Sequence, residues 1–219
     1  MATRTLLATL APACEAATGA ALTIESVGGV DAARRVANGE DFDLVLLAHD
    51  ALDRLEAAGH LLAGSQVALV RSGVSVAVRA GQAHPDLSTE SAVREAVLAA
   101  ASVGHSTGPS GVQLLALFDR WGIREALAGR LVQAPAGVPV AALVARGEVA
   151  LGFQQLSELI GQPGIEIVGP LPEPIRIDTV FAGAIGVRSP RADQARQALA
   201  FLASPATAEA KQAQGMEAF

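Results

Sequence analysis

The chain has one cysteine in 219 residues, no tyrosine and a single lysine, Lys211. With only Cys14, an internal disulfide and a cysteine-rich metal site are both excluded, and the four histidines, at 49, 60, 84 and 105, show no ligand spacing. Basic runs are missing too. Sixteen Lys and Arg against 22 Asp and Glu leave a net charge of -6, and aromatics make up 3% of the chain, so no basic or aromatic patch for nucleic acid exists. No apolar run is long enough to span a bilayer. Two nucleotide signatures are also absent: no Lys-Ser or Lys-Thr follows Gly111, and no dinucleotide glycine pattern occurs. No cofactor is implied, and any anion site must be local, because the global charge is negative.

What the chain does have is a 51% hydrophobic composition and a recurring order of apolar strand, polar loop and helix. Residues 99–111 are the most informative. A short apolar stretch runs into Ser106-Thr107-Gly108-Pro109-Ser110-Gly111, then into the amphipathic run 112–118. Hydroxyls and unpaired amides at a helix start, with the helix dipole behind them, suit an anion. The same serines also suit plain capping, with Gly108-Pro109 making the turn.

Along the chain, Leu6, Leu7, Leu10 and Cys14 fall at helical spacing, which predicts an amphipathic helix stopped by Gly19 rather than a lipoprotein signal. Residues 21–27 read as a strand, 32–37 as a helix stopped by Asn38-Gly39, and 42–48 as an apolar strand of the kind buried in parallel sheets. A helix from His49, two strands at 66–70 and 74–79, and a capped helix over 88–98 follow. Further on come a short helix at 140–148, a strand at 149–153 delivering Gln154-Gln155, strands at 165–172 and 179–187, a helix over 191–202 and a last helix in the tail. The pattern is α/β, and ligands of open α/β sheets sit beyond the carboxyl ends of strands.

Several stretches together resemble the type II periplasmic solute-binding proteins, in their molybdate-binding-like branch. They are Ala2-Thr3-Arg4, Gly28-Gly29-Val30-Asp31, the strand 42–48, Leu151-Gly152-Phe153-Gln154-Gln155, and the helix signature 201–208 ending in Ser-Pro-Ala-Thr-Ala. The resemblance implies two Rossmann-like α/β lobes joined by a hinge, residues 1–75 with 178–219 forming one and 76–177 the other, with the ligand between them. Carried over by position, the binding residues are Thr3, Arg4, Gly28, Gly29, Val30, Asp31, Ser106, Thr107, Gly108, Ser110, Val138, Gln154 and Gln155. Gln155 stands where molybdate binders often present a tyrosine, which argues against a tetrahedral oxyanion. The family's first strand has no counterpart here, so the sheet of the first lobe is expected to lack it. The resemblance also implies a periplasmic location; a genuine start at Met1, with no visible signal peptide, implies a cytoplasmic one.

Two functions follow from these residues. The leading one is a solute-binding protein that holds a small anion, an oxyanion or an organic carboxylate, for ABC-type uptake or sensing, with the transporter permease as partner. The other is an aconitate-isomerase-like enzyme, since relatives of this branch shift a proton along that tricarboxylate. Such chemistry needs a base, and His105, His49 and Asp31 lie on suitable loops. An effector domain of a transcription regulator is disfavoured, because no DNA-binding segment is present.

Overall fold

The computed structural model describes all 219 residues. In chain order its elements are α1 (Arg4–Thr18), α2 (Gly29–Ala37), β1 (Leu44–Ala48), α3 (His49–Ala57), β2 (Val67–Arg79), α4 (Glu90–Ala99), β3 (Val103–His105), α5 (Pro109–Arg120), β4 (Leu131–Gln133), α6 (Val140–Ala145), β5 (Leu151–Gln155), α7 (Leu156–Leu159), β6 (Ile165–Pro170), β7 (Asp178–Ile185), α8 (Ala192–Ala203), α9 (Ala208–Ala213) and β8 (Met216–Ala218). They form two compact α/β units, Met1–Ser72 with Thr179–Phe219, and Gly73–Asp178.

In the first unit β1 pairs antiparallel with β7, β7 neighbours the first half of β2, and β8 closes the other side with Ser72 opposite Met216. Helix α1 forms as its spacing predicts. Leu6, Leu7, Leu10 and Cys14 are its buried residues, and Gly19 ends it at φ 72°, a left-handed conformation that glycine adopts without steric cost. Its leucines pack with Leu69, Val70, Leu202 and Met216. A second cluster, including Val36, Val45, Leu47, Leu52 and Leu55, joins α2 and α3 to β1.

In the second unit the order is β6, the second half of β2, β5, β3, β4. Strands β6 and β5 run antiparallel to β2, whereas β3 runs parallel to both β5 and β4. One face carries Val76, Val78, Val93, Leu114, Phe118 and Phe153 in a single cluster. On the other, α6 lies directly on the sheet, because Gly104 and Gly152 have no side chain to hold it off. A Cβ at Gly152 would stand 2.5 Å from a Val144 methyl. Thr89 caps α4, its side chain accepting from Ala92 N at 3.1 Å, a cap that contributes about 1 kcal/mol.

Several expectations are corrected. Residues 21–27 read as a strand yet join no sheet; a ladder needs a neighbour on which to place its backbone bonds, and Glu25 is instead held by Arg35 at 2.7 Å. The apolar strand at 42–48 is β1, which pairs antiparallel and lies at the sheet edge. The two strands expected at 66–70 and 74–79 are one, because the polar step Arg71-Ser72-Gly73 stays extended where the chain passes from one unit to the other. The tail holds β8 as well as its helix, and β4 was not foreseen. Residues 1–19 build α1 and no strand.

The one lysine is buried. Lys211 is 1% exposed, its Nζ has no hydrogen-bond partner, and burial holds its amine below the ordinary lysine value. Lys211→Met keeps the volume and removes the desolvated amine, so it is expected to stabilise the protein by on the order of 1–3 kcal/mol at neutral pH. With the folded-state pKa lowered, the unfolded chain binds more protons between that value and about 10.4. Wild-type stability therefore rises with pH through that window, and the full penalty applies below it. The advantage of the variant should shrink as pH rises towards about 10, read from urea midpoints; a variant no more stable than wild type at neutral pH would contradict this.

Candidate functional site

Three parallel strands end on one edge of the second unit. The carboxyl ends of β4, β3 and β5, at Gln133, His105 and Gln155, each lead within a few residues into a helix: α6, α5 and α7. Parallel pairing and the connections after each strand thus bring three helix starts to the same edge. At α5, Pro109 has no N–H and Gly111 N and Val112 N both donate to Gly108 O; at α6, Ala141 N donates to Gln154 and Ala142 N to Pro139 O. The 12-residue α5 contributes the strongest dipole. Ala134 N donates to His105 O at 2.9 Å, which ties the loop after β4 to the end of β3.

The loop into α5 is held from within. Ser106 and Ser110 share a hydroxyl hydrogen bond of 3.2 Å, and Gly108 N donates to Ser106 Oγ at 3.3 Å. Gly111 is required by close approach, since a Cβ there would lie 1.9 Å from the Ser106 carbonyl oxygen. Thr107 is exposed, and Ser106, Gly108 and Val138 are half-buried. His105 is 4% exposed and its Nδ1 lies 3.1 Å from Ser106 O, so the ring donates to that carbonyl. Burial, opposed by that bond and reinforced by the Arg124 charge, keeps its pKa below the ordinary histidine value. A neutral ring buttressing the Ser106 carbonyl is a positioning group.

Gln154 and Gln155 are both buried at the end of β5. Gln154 is committed at both ends: its Oε1 accepts from Ala141 N at 3.1 Å in the first turn of α6, and its Nε2 donates to Glu158 Oε2. It therefore replaces a cap for α6, whose N-cap is Pro139 with no side-chain bond. Sequence reasoning stopped at the strand end and missed the next turn. Ser157 is 7% exposed with a hydroxyl lacking any partner, and Glu158 is half-buried, with burial raising its carboxyl above the ordinary glutamate value. The available signal was the i, i+4 spacing of Gln154 and Glu158.

The first unit gathers the remaining expected residues by itself. The Met1 amine donates to Val27 O at 3.4 Å, bringing Thr3 and Arg4 at the start of α1 beside Gly28 at the start of α2. A Cβ on Gly29 would touch Leu47 at 3.8 Å, so α2 begins against the carboxyl end of β1. Thr3 makes no capping bond, Arg4 and Val30 are exposed, and Asp31 is paired with Arg34 at 2.7 Å. His49 starts α3 and is bound to Gln66 at 2.8 Å. Asp31 and His49 are thus engaged within their own neighbourhoods. A shallow pocket lined by Phe42, Val45, His60 and Arg188 lies at the other end of β1.

Gly111→Ala tests the loop. The methyl must displace the Ser106 carbonyl or the start of α5, so a loss of about 1–3 kcal/mol in urea unfolding is expected, typical of overpacking. Unchanged stability would mean that the loop is free to move.

Compared with known proteins, residues 1–217 match the model of the bacterial extracellular solute-binding protein family. An aconitate isomerase from Pseudomonas sp. is 40% identical over 214 residues, covering 95% of this chain and 81% of that protein. Among solved structures, the periplasmic molybdate-binding protein of Azotobacter vinelandii superposes with a TM-score of 0.79 at 21% identity, over 98% of this chain and 94% of that one. The sulfate-binding protein of Mycobacterium tuberculosis gives 0.75 at 18% identity, over 96% and 82%. At such identities these structures speak to the fold alone. The chain belongs to the bacterial extracellular solute-binding protein family.

Proposed function

We propose that this protein binds an unsaturated polycarboxylate of the aconitate class and interconverts its isomers. The observation that carries the proposal is the 40% identity to an aconitate isomerase, sustained over nearly the whole chain. The donor edge of the second unit supports it: the Ser110 amide at the start of α5, the hydroxyls of Ser106 and Ser110, and the unpartnered Ser157 hydroxyl are groups that hold carboxylates. In the first unit, Thr3, Arg4 and the backbone of the turn Gly28–Asp31 carry donors of the same kind, Arg4 being suited to a bidentate carboxylate contact.

The reaction is a 1,3 proton shift. A proton leaves the methylene carbon, the double bond moves by one position, and a proton is added at the far allylic carbon, so the product is the same acid with its geometry free to change. No oxidant or metal is consumed. A second reading is favoured by the family itself: a receptor that delivers a small anion to an ABC-type permease from the periplasm.

One pair of measurements separates the two. At a free aconitate concentration of 100 times Kd, native-state binding adds about 2.7 kcal/mol. For a chain of this size that is an upward thermal shift of about 5–10 °C. Incubation with cis- or trans-aconitate, followed by proton NMR, is expected to yield the other isomer. Binding without interconversion would favour the receptor; a shift with molybdate or sulfate and none with aconitate would overturn the polycarboxylate reading.

A further inference from the structure

We propose that Glu158 carries the proton in this shift, an inference that rests on the isomerase reading. Its carboxyl takes the proton as the methylene C–H bond breaks. The electron pair spreads over the three-carbon allyl unit and its carboxylate, and the proton returns to the far allylic carbon as the new double bond settles. Glu158 ends as it began, ready for another turnover.

Position carries the argument. Glu158 lies one turn beyond the end of β5, on the edge where the loops from β3 and β4 also end. Gln154 Nε2 donates to its Oε2, and Gln154 is itself anchored on Ala141 N, so the carboxyl is oriented by two consecutive hydrogen bonds from buried groups. Beside it, the buried Ser157 hydroxyl has no partner within the protein, which leaves it available to an oxygen of a bound carboxylate.

The rival groups are otherwise engaged. His105 Nδ1 serves the Ser106 carbonyl, and the ring is 4% exposed. Glu173 and Asp178, which follow β6, are both ion-paired to Arg176, at 3.3 and 2.7 Å. For Glu158, burial outweighs the opposing charge and hydrogen-bond effects and raises the basicity of its carboxylate.

The test uses the full chain and trans-aconitate. Glu158→Gln preserves the acceptor for Gln154 and removes the proton carrier. It is expected to keep the thermal shift with trans-aconitate while kcat falls by about 10²–10⁴-fold, the usual contribution of general acid–base catalysis. Deuterium uptake from D2O into bound aconitate should fall with it. Glu158→Asp, which retains a carboxyl one methylene shorter, should recover part of the exchange, and it decides the matter if the glutamine variant folds poorly. A glutamine variant within tenfold of wild type, or an aspartate variant with no exchange in a protein that still binds, would overturn the role of Glu158 and leave the isomerase reading standing. A wild-type protein that binds aconitate without exchanging or isomerising it would overturn both.

Discussion

Parallel pairing of β3 with β4 and β5 is the constraint on which the second unit depends. Strands that run the same way must be joined by crossovers, and here each crossover contains a helix, so α5 and α6 begin at the same edge of the sheet while packing on its opposite faces. Three helix starts and the polar loop from Ser106 to Ser110 are thereby gathered on one edge of a chain whose net charge is -6. Oriented backbone groups of this kind attract an anion without a local excess of basic side chains.

Close packing makes that edge rigid. Gly104 and Gly152 let α6 settle on the sheet, and Gly111 lets the Ser106 carbonyl press against the start of α5. Gln154 then links two elements that are adjacent in space and separate in sequence, satisfying an amide of α6 with one end and orienting Glu158 with the other. A buried amide side chain used at both ends costs little, because each polar atom recovers in the fold the hydrogen bond it gave up to water. Lys211 is the opposite case, a buried amine with nothing in return.

Local pattern carried much of the fold. The leucine spacing of α1 and its stop at Gly19, the Thr89 cap of α4, and the loop from Ser106 to Gly111 into α5 all depend on residues within a few positions of each other, and all were legible. The failures share a cause. Residues 21–27 read as a strand and make none, β1 is apolar and pairs antiparallel at an edge, and Arg71-Ser72-Gly73 looks like a turn and continues β2. In each case the outcome depends on what lies alongside, and pairing partners are distant in sequence.

The candidate site divides in the same way. The polar loop from Ser106 to Ser110 and the strand end at Gln154-Gln155 were visible in the sequence, because polar residues at a strand-to-helix junction are a local signal. The tasks of individual side chains were not visible. Tertiary packing alone decided that Gln154 spans α6 and α7, that His105 turns inward to a carbonyl, and that Glu158 is half-buried. Sequence by itself determined which groups were present and on which junctions, because propensity and capping act over a turn or two. Their partners and their desolvation depend on the environment created by distant segments, and only the folded structure assembles it.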